Sequence, residues 1–297
     1  MSQASLPLQQ LCQTAIAAAE AAGHYIQSVD RDQIQREYKN AGGSAASQLV
    51  TEVDRHSEAL IRQCLDESCT RWRIAFVGEE SSLESADALP DRFTSPLFWC
   101  VDPLDGTLPF MEGTHGYAVS IALVEQSGIP LIGVVYDPVD NTLLHAVRGQ
   151  GVFRNGAAMH SLGAPSNNLM VFADASFRTQ DSRDYVIDVL TDCAFRSGLD
   201  GIEFIYGNGA VKNACRVLDY SHACYLKLPK VEVGGGSIWD FAATACIFSE
   251  ANGWVSNIFG EALDLNRRYS TFMNHQGVLY ASSEKMALSL VAGFSSA

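Results

Sequence analysis

The sequence predicts a mixed α+β / α/β protein, and three observations carry that prediction. Apolar, strand-like segments follow one another closely at 74–78, 97–102, 117–125, 131–136 and 142–147, as in an antiparallel sheet with helices packed on it. The second half alternates strand and helix patterns, which suits an α/β layer. The chain has 297 residues and 47% hydrophobic content, enough for a large core and two subdomains.

Residues 8–27 place apolar side chains at helical spacing and predict an opening amphipathic helix, ending near Ser28, Val29 and Asp30. Residues 41–47 are all Gly, Ala or Ser, too small-sided to pack, and predict a loop. A plain linker and a loop that closes over a site are equally open readings of it. A helix opens at Thr51 with Val53, Leu60, Ile61, Cys64 and Leu65 as apolar positions, and Thr51 with Asp54 makes a capping-box pattern. The strands above come next. Punctuation at 161–168 divides an N-terminal subdomain, residues 1–160, from a C-terminal one, residues 161–297. Beyond it the pattern predicts a strand at 170–173, a helix at 183–195, a strand at 202–206 and a helix at 209–218. Asp240 opens a last helix that runs through Ile247 and Phe248 and stops near Gly253. There is no internal repeat.

The run Trp99-Cys100-Val101-Asp102-Pro103-Leu104-Asp105-Gly106-Thr107 carries the chemistry. An apolar strand ends in two carboxylates three residues apart. An unpaired buried charge is unfavourable, and two neighbouring ones repel unless a cation lies between them. Mg²⁺ is such a cation, taking one or two carboxylates together with phosphate oxygens. Gly106 permits close backbone approach, and Thr107 suits the cap of a helix whose free N–H groups hold phosphate. A strand-end turn built on Asp-Pro is the plainer reading of the same residues.

Two other phosphatase chemistries are excluded. A haloacid-dehalogenase-type enzyme needs a nucleophilic Asp two residues before Asp105, and Pro103 stands there. No Cys is followed six residues later by Arg in the loop that a cysteine phosphatase needs, and Cys100 lies in an apolar strand as an inert core residue.

Three further segments point the same way. Val77-Gly78-Glu79-Glu80 places acids after a second apolar run. Thr51-Glu52-Val53-Asp54 starts a helix, and Ile238-Trp239-Asp240 starts another, although Asp54 and Asp240 each have a plain capping role open to them. Together the four segments resemble the inositol monophosphatase family of magnesium-dependent, lithium-sensitive phosphatases. Its pattern is Thr-x-x-Asp, Gly-Glu-Glu, Asp-Pro-x-Asp-Gly-Thr and a late Trp-Asp, and all four occur here in that order. Segments 117–123, 131–138 and 149–156 are similar to the family too, so the resemblance spans roughly residues 45 to 265.

The resemblance implies a layered αβαβα sandwich and a phosphomonoesterase that hydrolyses a small inositol, polyol or sugar monophosphate with water. It also implies two or three Mg²⁺ per site. Glu79, Asp102 and the Leu104 carbonyl are then expected to bind the first ion, and Asp102, Asp105 and Asp240 the second. Thr107, held by Asp54, would orient the attacking water with Glu79, while the N–H groups of Gly106 and Thr107 hold phosphate oxygens. Gly207, Asn208, Gly209 and Lys212 match the region that contacts the rest of the substrate. Lys212 is open to two readings, a second-phosphate ligand or a helix-surface lysine. The family also implies possible homodimers.

Departures from the pattern bear on specificity. Gln48 replaces an Asp near the third, weaker metal. Leu108-Pro109-Phe110 follows Thr107 where inositol monophosphatases read Thr-Asn-Phe, and Pro109 is tolerated in a first helical turn. Val233 stands where inositol-specific members carry a Glu that binds ring hydroxyls. With the Pro229 segment, these changes leave room for a 3′(2′),5′-bisphosphate nucleotidase acting on adenosine 3′,5′-bisphosphate. A non-catalytic regulatory member is the lesser alternative, and the intact acid set counts against it. The net charge of −14 argues against a nucleic-acid polymer as partner. No stretch approaches ~18 consecutive apolar residues, so no membrane span is expected. Eight scattered Cys without CxxC, and no signal-peptide pattern, predict a cytoplasmic enzyme with reduced thiols.

Overall fold

Strands buried on both faces read as continuous apolar runs, and the central strands of two sheets in this chain are of that kind. A computed structural model describes residues 6–34, 36–38, 49–83, 91–159 and 163–295. The loop at 41–47, Gln48 and the first two residues of the 161–168 punctuation lie outside these residues. The first large sheet comprises β3 (Ile74–Gly78), β4 (Leu97–Asp105), β5 (Ala118–Glu125), β6 (Pro130–Asp137), β7 (Thr142–Val147), β8 (Val152–Arg154) and β9 (Ala157–Ala158), neighbours in that order. All pairs are antiparallel except β3 with β4, which are parallel and in register at Gly78 and Val101. The expected all-antiparallel sheet is corrected at that pair, because a crossover through 79–96 separates the two strands.

The second sheet is ordered β11-β10-β12-β14-β13, with β10 (Asn168–Phe172), β11 (Gly201–Ile205), β12 (Ala223–Lys227), β13 (Trp254–Ser256) and β14 (Val278–Ala281). β10 pairs parallel with β11 and β12, and the remaining pairs are antiparallel. A short pair, β1 (Arg36–Tyr38) and β2 (Leu49–Thr51), stands apart.

Alternation along each strand divides the core. Trp99 and Val101 of β4 face α1 (Leu8–Ser28) and α2 (Glu52–Trp72), where Leu11, Ala19, Ile26, Ile61 and Leu65 are buried. Phe98 and Cys100 face the other way, onto α5 (Ala210–Val217) and α6 (Ile238–Glu250), which lie between the sheets. Met170, Phe172 and Tyr225 meet the same two helices from the second sheet. Leu169 and Val171 turn outward to α4 (Arg183–Arg196) and α7 (Glu284–Ser295). Helix α6 is accordingly apolar on nearly every side, as a helix packed between two sheets must be. Gly133 of β6 makes that approach possible, since a Cβ there would lie 2.2 Å from the Ala243 carbonyl oxygen. The layers are α1/α2, sheet, α5/α6, sheet, α4/α7: an αβαβα sandwich.

Predicted element ends differ from the structure by a few residues. Thr51 is the last residue of β2, and the helix it was expected to open begins at Glu52. β4 continues through both acids to Asp105 instead of stopping at Asp102.

Candidate active site

Parallel pairing of β3 and β4 brings the acids that follow each strand to one sheet edge. Glu79 comes beside Asp102, and the Glu79 N–H donates to the Val101 carbonyl at 3.1 Å. The register of β4 on β5 shifts between Asp102 and Asp105, and the Leu104 N–H donates to Asp102 Oδ1 at 3.1 Å across that bulge. Asp105 is reached by another element. The backbone N–H groups of Ala210 and Val211, at the start of α5, donate to its two carboxylate oxygens at 2.9 Å each. Asp240 arrives from α6, at the third helical position and not at the cap as expected. Ser237 is the N-cap, and its backbone N–H donates to the Asp240 carboxylate.

Oxygens of Asp102, Asp105 and Asp240 lie within 4.8 Å of one another. Glu79 lines the same cleft outside that trio. At such separations two like charges repel by about 3 kcal/mol at an effective dielectric near ~20. Burial, then the charge of Asp240, raises Asp105 well above the usual carboxylate range. Burial likewise lifts Asp240 from 3.8 to about 6, against the opposing pull of Lys227. An all-oxygen donor set of this charge fits a hard divalent cation such as Mg²⁺. The N–H bonds to Asp105 leave each of its oxygens a further lone pair for a metal.

A pH dependence follows. Asp240 binds its proton more tightly folded than unfolded, so metal-free protein should lose stability as pH rises from about 4 through about 6. Bound Mg²⁺ would neutralise the same charge. We therefore expect Mg²⁺ to raise the thermal midpoint at pH 7–8 and the gain to shrink below pH 6. Calorimetric scans with and without Mg²⁺ check this, and an equal gain at pH 5 and pH 8 would contradict it.

Gly106, at φ 87°, is the N-cap of the short helix α3 (Thr107–Met111), so the capping role expected for Thr107 is corrected. A Cβ on Gly106 would meet the Gly116 carbonyl oxygen at 2.7 Å. Thr107 instead donates its hydroxyl to Asp54 Oδ1 at 3.0 Å, with the Leu104 carbonyl 3.3 Å away. Asp54→Ala should then lower kcat by about 10²-fold, with Mg²⁺ affinity changed less than about threefold, since Asp54 orients a hydroxyl and not an ion. Steady-state rates and a Mg²⁺ titration separate the two effects.

The cleft at these residues has a volume of about 1260 Å³. Gly106, Thr107, Gly207, Asn208 and Gly209 line it. Lys212 does not, and both readings of it are corrected. It is 6% exposed, its ammonium is ion-paired with buried Asp137, and Asp140 lies 3.3 Å away. Asp140 also lies 3.3 Å from His115, which lines the cleft mouth. Pro109 falls within α3 and lines the cleft, whereas Val233 is 57% exposed and its neighbour Glu232 faces the cleft.

Two cleft residues escaped the sequence reading. Lys227, at the end of β12, pairs with Asp174 at 2.9 Å, and its ammonium lies over the Phe241 ring. Burial alone would lower its pKa, but the charges of Asp174 and Asp240 raise it. Asp174 also accepts from Tyr225 and Asn213. The available signal was a lysine closing an apolar run, Leu226-Lys227-Leu228. All eight cysteines are free thiols, and burial raises the Cys100 thiol. Among the described residues no helix is long and apolar enough to cross a membrane.

Residues 7–293 match the model of the inositol monophosphatase family. An inositol monophosphatase of Mesembryanthemum crystallinum is 31% identical over 265 residues, covering 88% of this chain and 90% of its own. Among solved structures, the extragenic suppressor protein suhB of Bartonella henselae superposes with a TM-score of 0.71 at 24% identity, over 96% of this chain and 98% of that one. A staphylococcal inositol monophosphatase-1, soaked in 100 mM LiCl as an inhibitory complex, gives 0.72 at 18% identity, over 98% and 96%.

Proposed function

The chain belongs to the inositol monophosphatase family and is a phosphomonoesterase, and on that premise we propose that it hydrolyses a small polyol or sugar monophosphate by direct attack of water with Mg²⁺. The observation that carries the reading is the buried trio Asp102, Asp105 and Asp240, each delivered by a different backbone device. Asp102 would be shared by two ions, Glu79 and the Leu104 carbonyl completing one set, Asp105 and Asp240 the other. Bound there, the ions would supply water of lowered pKa and charge neutralisation at the phosphate.

The chain's own groups do the rest. Thr107, its hydroxyl fixed by Asp54, orients the attacking water together with Glu79. The backbone at Gly106 and Thr107 offers N–H donors to the phosphate. Asp105, anchored by Ala210 and Val211, holds its carboxylate still while charge builds on the leaving oxygen.

One observation favours a second reading, a 3′(2′),5′-bisphosphate nucleotidase. Arg216, Lys227 and Lys230 line the cleft, cations that a neutral polyol does not call for. Assay of inositol monophosphate, sugar phosphates and adenosine 3′,5′-bisphosphate with Mg²⁺ decides between them, and no turnover of any phosphate ester would sink both. Lithium should inhibit by an uncompetitive or mixed mode, occupying the site of Asp102, Asp105 and Asp240 after phosphate is released from its ester. A lithium titration at saturating Mg²⁺ and several substrate levels tests this, and unchanged rates at all lithium levels would contradict it.

A further inference from the structure

Helix α2 carries two buried carboxylates one turn apart, Asp54 and Glu58, and the reaction described above uses only Asp54. Glu58 is 6% exposed. Its Oε2 accepts the backbone N–H of Glu80 at 2.8 Å, and its Oε1 accepts that of Ser81 at 3.0 Å. These donors belong to the two residues directly after Glu79. On the other side of Glu79, Gly78 packs against the same carboxylate, and a Cβ there would lie 2.3 Å from Glu58 Oε2. Glu58 thus touches the main chain immediately before and after Glu79.

We propose that Glu58 is a positioning residue for Glu79: it grips the 78–81 turn and fixes the direction in which the Glu79 side chain enters the cleft. The proposal rests on the reading of Glu79 as a metal ligand. A carboxylate suits this task because it presents an acceptor oxygen to each of two N–H donors at once. An amide has one acceptor oxygen, and its NH₂ would confront the second donor. An apolar side chain would leave both N–H groups without their present partner in a half-buried place, which is costly. The same helix face, through Asp54, also fixes Thr107. Helix α2 therefore sets the relative position of two site residues that follow different strands, β3 and β4. Gly78 is required by this arrangement, as any side chain there would displace the carboxylate that orders its neighbour.

The experiment titrates Mg²⁺ alone by calorimetry into wild type, Glu58→Gln, Gly78→Ala and Glu79→Gln, with thermal midpoints measured alongside. Groups that orient ligands typically contribute 10- to 100-fold to metal affinity. Glu58→Gln and Gly78→Ala are each expected to weaken Mg²⁺ binding about 10-fold or more while the proteins remain folded. A purely structural carboxylate would lower the midpoint and leave affinity unchanged, and that result in a folded Glu58→Gln protein overturns the proposal. Should Glu58→Gln not fold, Gly78→Ala decides alone, wild-type affinity overturning the proposal and weakened affinity supporting it. Wild-type affinity in Glu79→Gln removes the ligand role on which the proposal rests, and so is told apart from failure at Glu58.

Discussion

Asp102→Asn is expected to abolish turnover, lowering kcat by about 10³-fold or more, because one uncharged amide would replace the carboxylate shared by both proposed ions. The substitution is nearly isosteric. Its amide oxygen can still accept the Leu104 N–H now held at 3.1 Å, so the bulge between Asp102 and Asp105 should persist. What changes is charge. Asp102 is 1% exposed and lies in the acidic trio, so its removal relieves two repulsions in the metal-free protein. The variant should therefore melt higher than wild type in chelator while losing the stabilisation that Mg²⁺ gives wild type. A misfolded variant would show the opposite, a lower midpoint in chelator. Near wild-type rates in Asp102→Asn would mean that the trio is not the reacting centre.

Much of this arrangement is legible in the sequence, because the strands that carry it are buried on both faces and read as unbroken apolar runs. Segments 74–78, 97–102 and 142–147 correspond closely to β3, β4 and β7. The parallel pairing of β3 and β4 is not legible, since nothing in an apolar run records its direction. That pairing is nevertheless what sets Glu79 beside Asp102. Asp240 was legible in identity but not in position. Ser237, three residues earlier, completes a Ser-x-x-Asp capping pattern that would have placed it at the third helical position.

Other features depend on contacts between distant parts of the chain. Lys212 looks like a surface lysine when its helix is read alone, but α5 is enclosed between two sheets, and Asp137 meets the ammonium from β6. Burial of that charge is tolerable only with such a partner. Strands β12 to β14 escaped detection because they are short, three to five residues each. Val278–Ala281 has four residues, all buried, too few for periodicity to separate strand from helix. The anchoring of Asp105 by Ala210 and Val211 joins residues more than a hundred positions apart, and only the fold reveals it.

That anchoring makes Gly209→Ala the second substitution of large expected effect. Gly209 precedes α5 with φ −66° and ψ 172°, a conformation that alanine adopts without strain, so backbone cost is not the issue. Space is. A Cβ at this position would lie 2.3 Å from Asp105 Oδ2 and 2.7 Å from Oδ1, both far inside contact distance. The carboxylate has no easy retreat, because the Ala210 and Val211 N–H groups hold both its oxygens and Asp105 is 5% exposed. Either Asp105 turns away from the trio or the start of α5 lifts off β4, and both outcomes disorder the proposed second metal site. We expect Mg²⁺ affinity to fall at least about 10-fold and kcat/KM at least about 10²-fold. Gly207→Ala provides the contrast. Its Cβ would meet nothing within 4 Å, but its φ of 103° disfavours alanine, so it should cost stability and leave Mg²⁺ binding nearly intact. Calorimetric Mg²⁺ titration of the two variants distinguishes crowding of Asp105 from backbone strain, and wild-type affinity in Gly209→Ala would show that Asp105 takes no part in holding the ion.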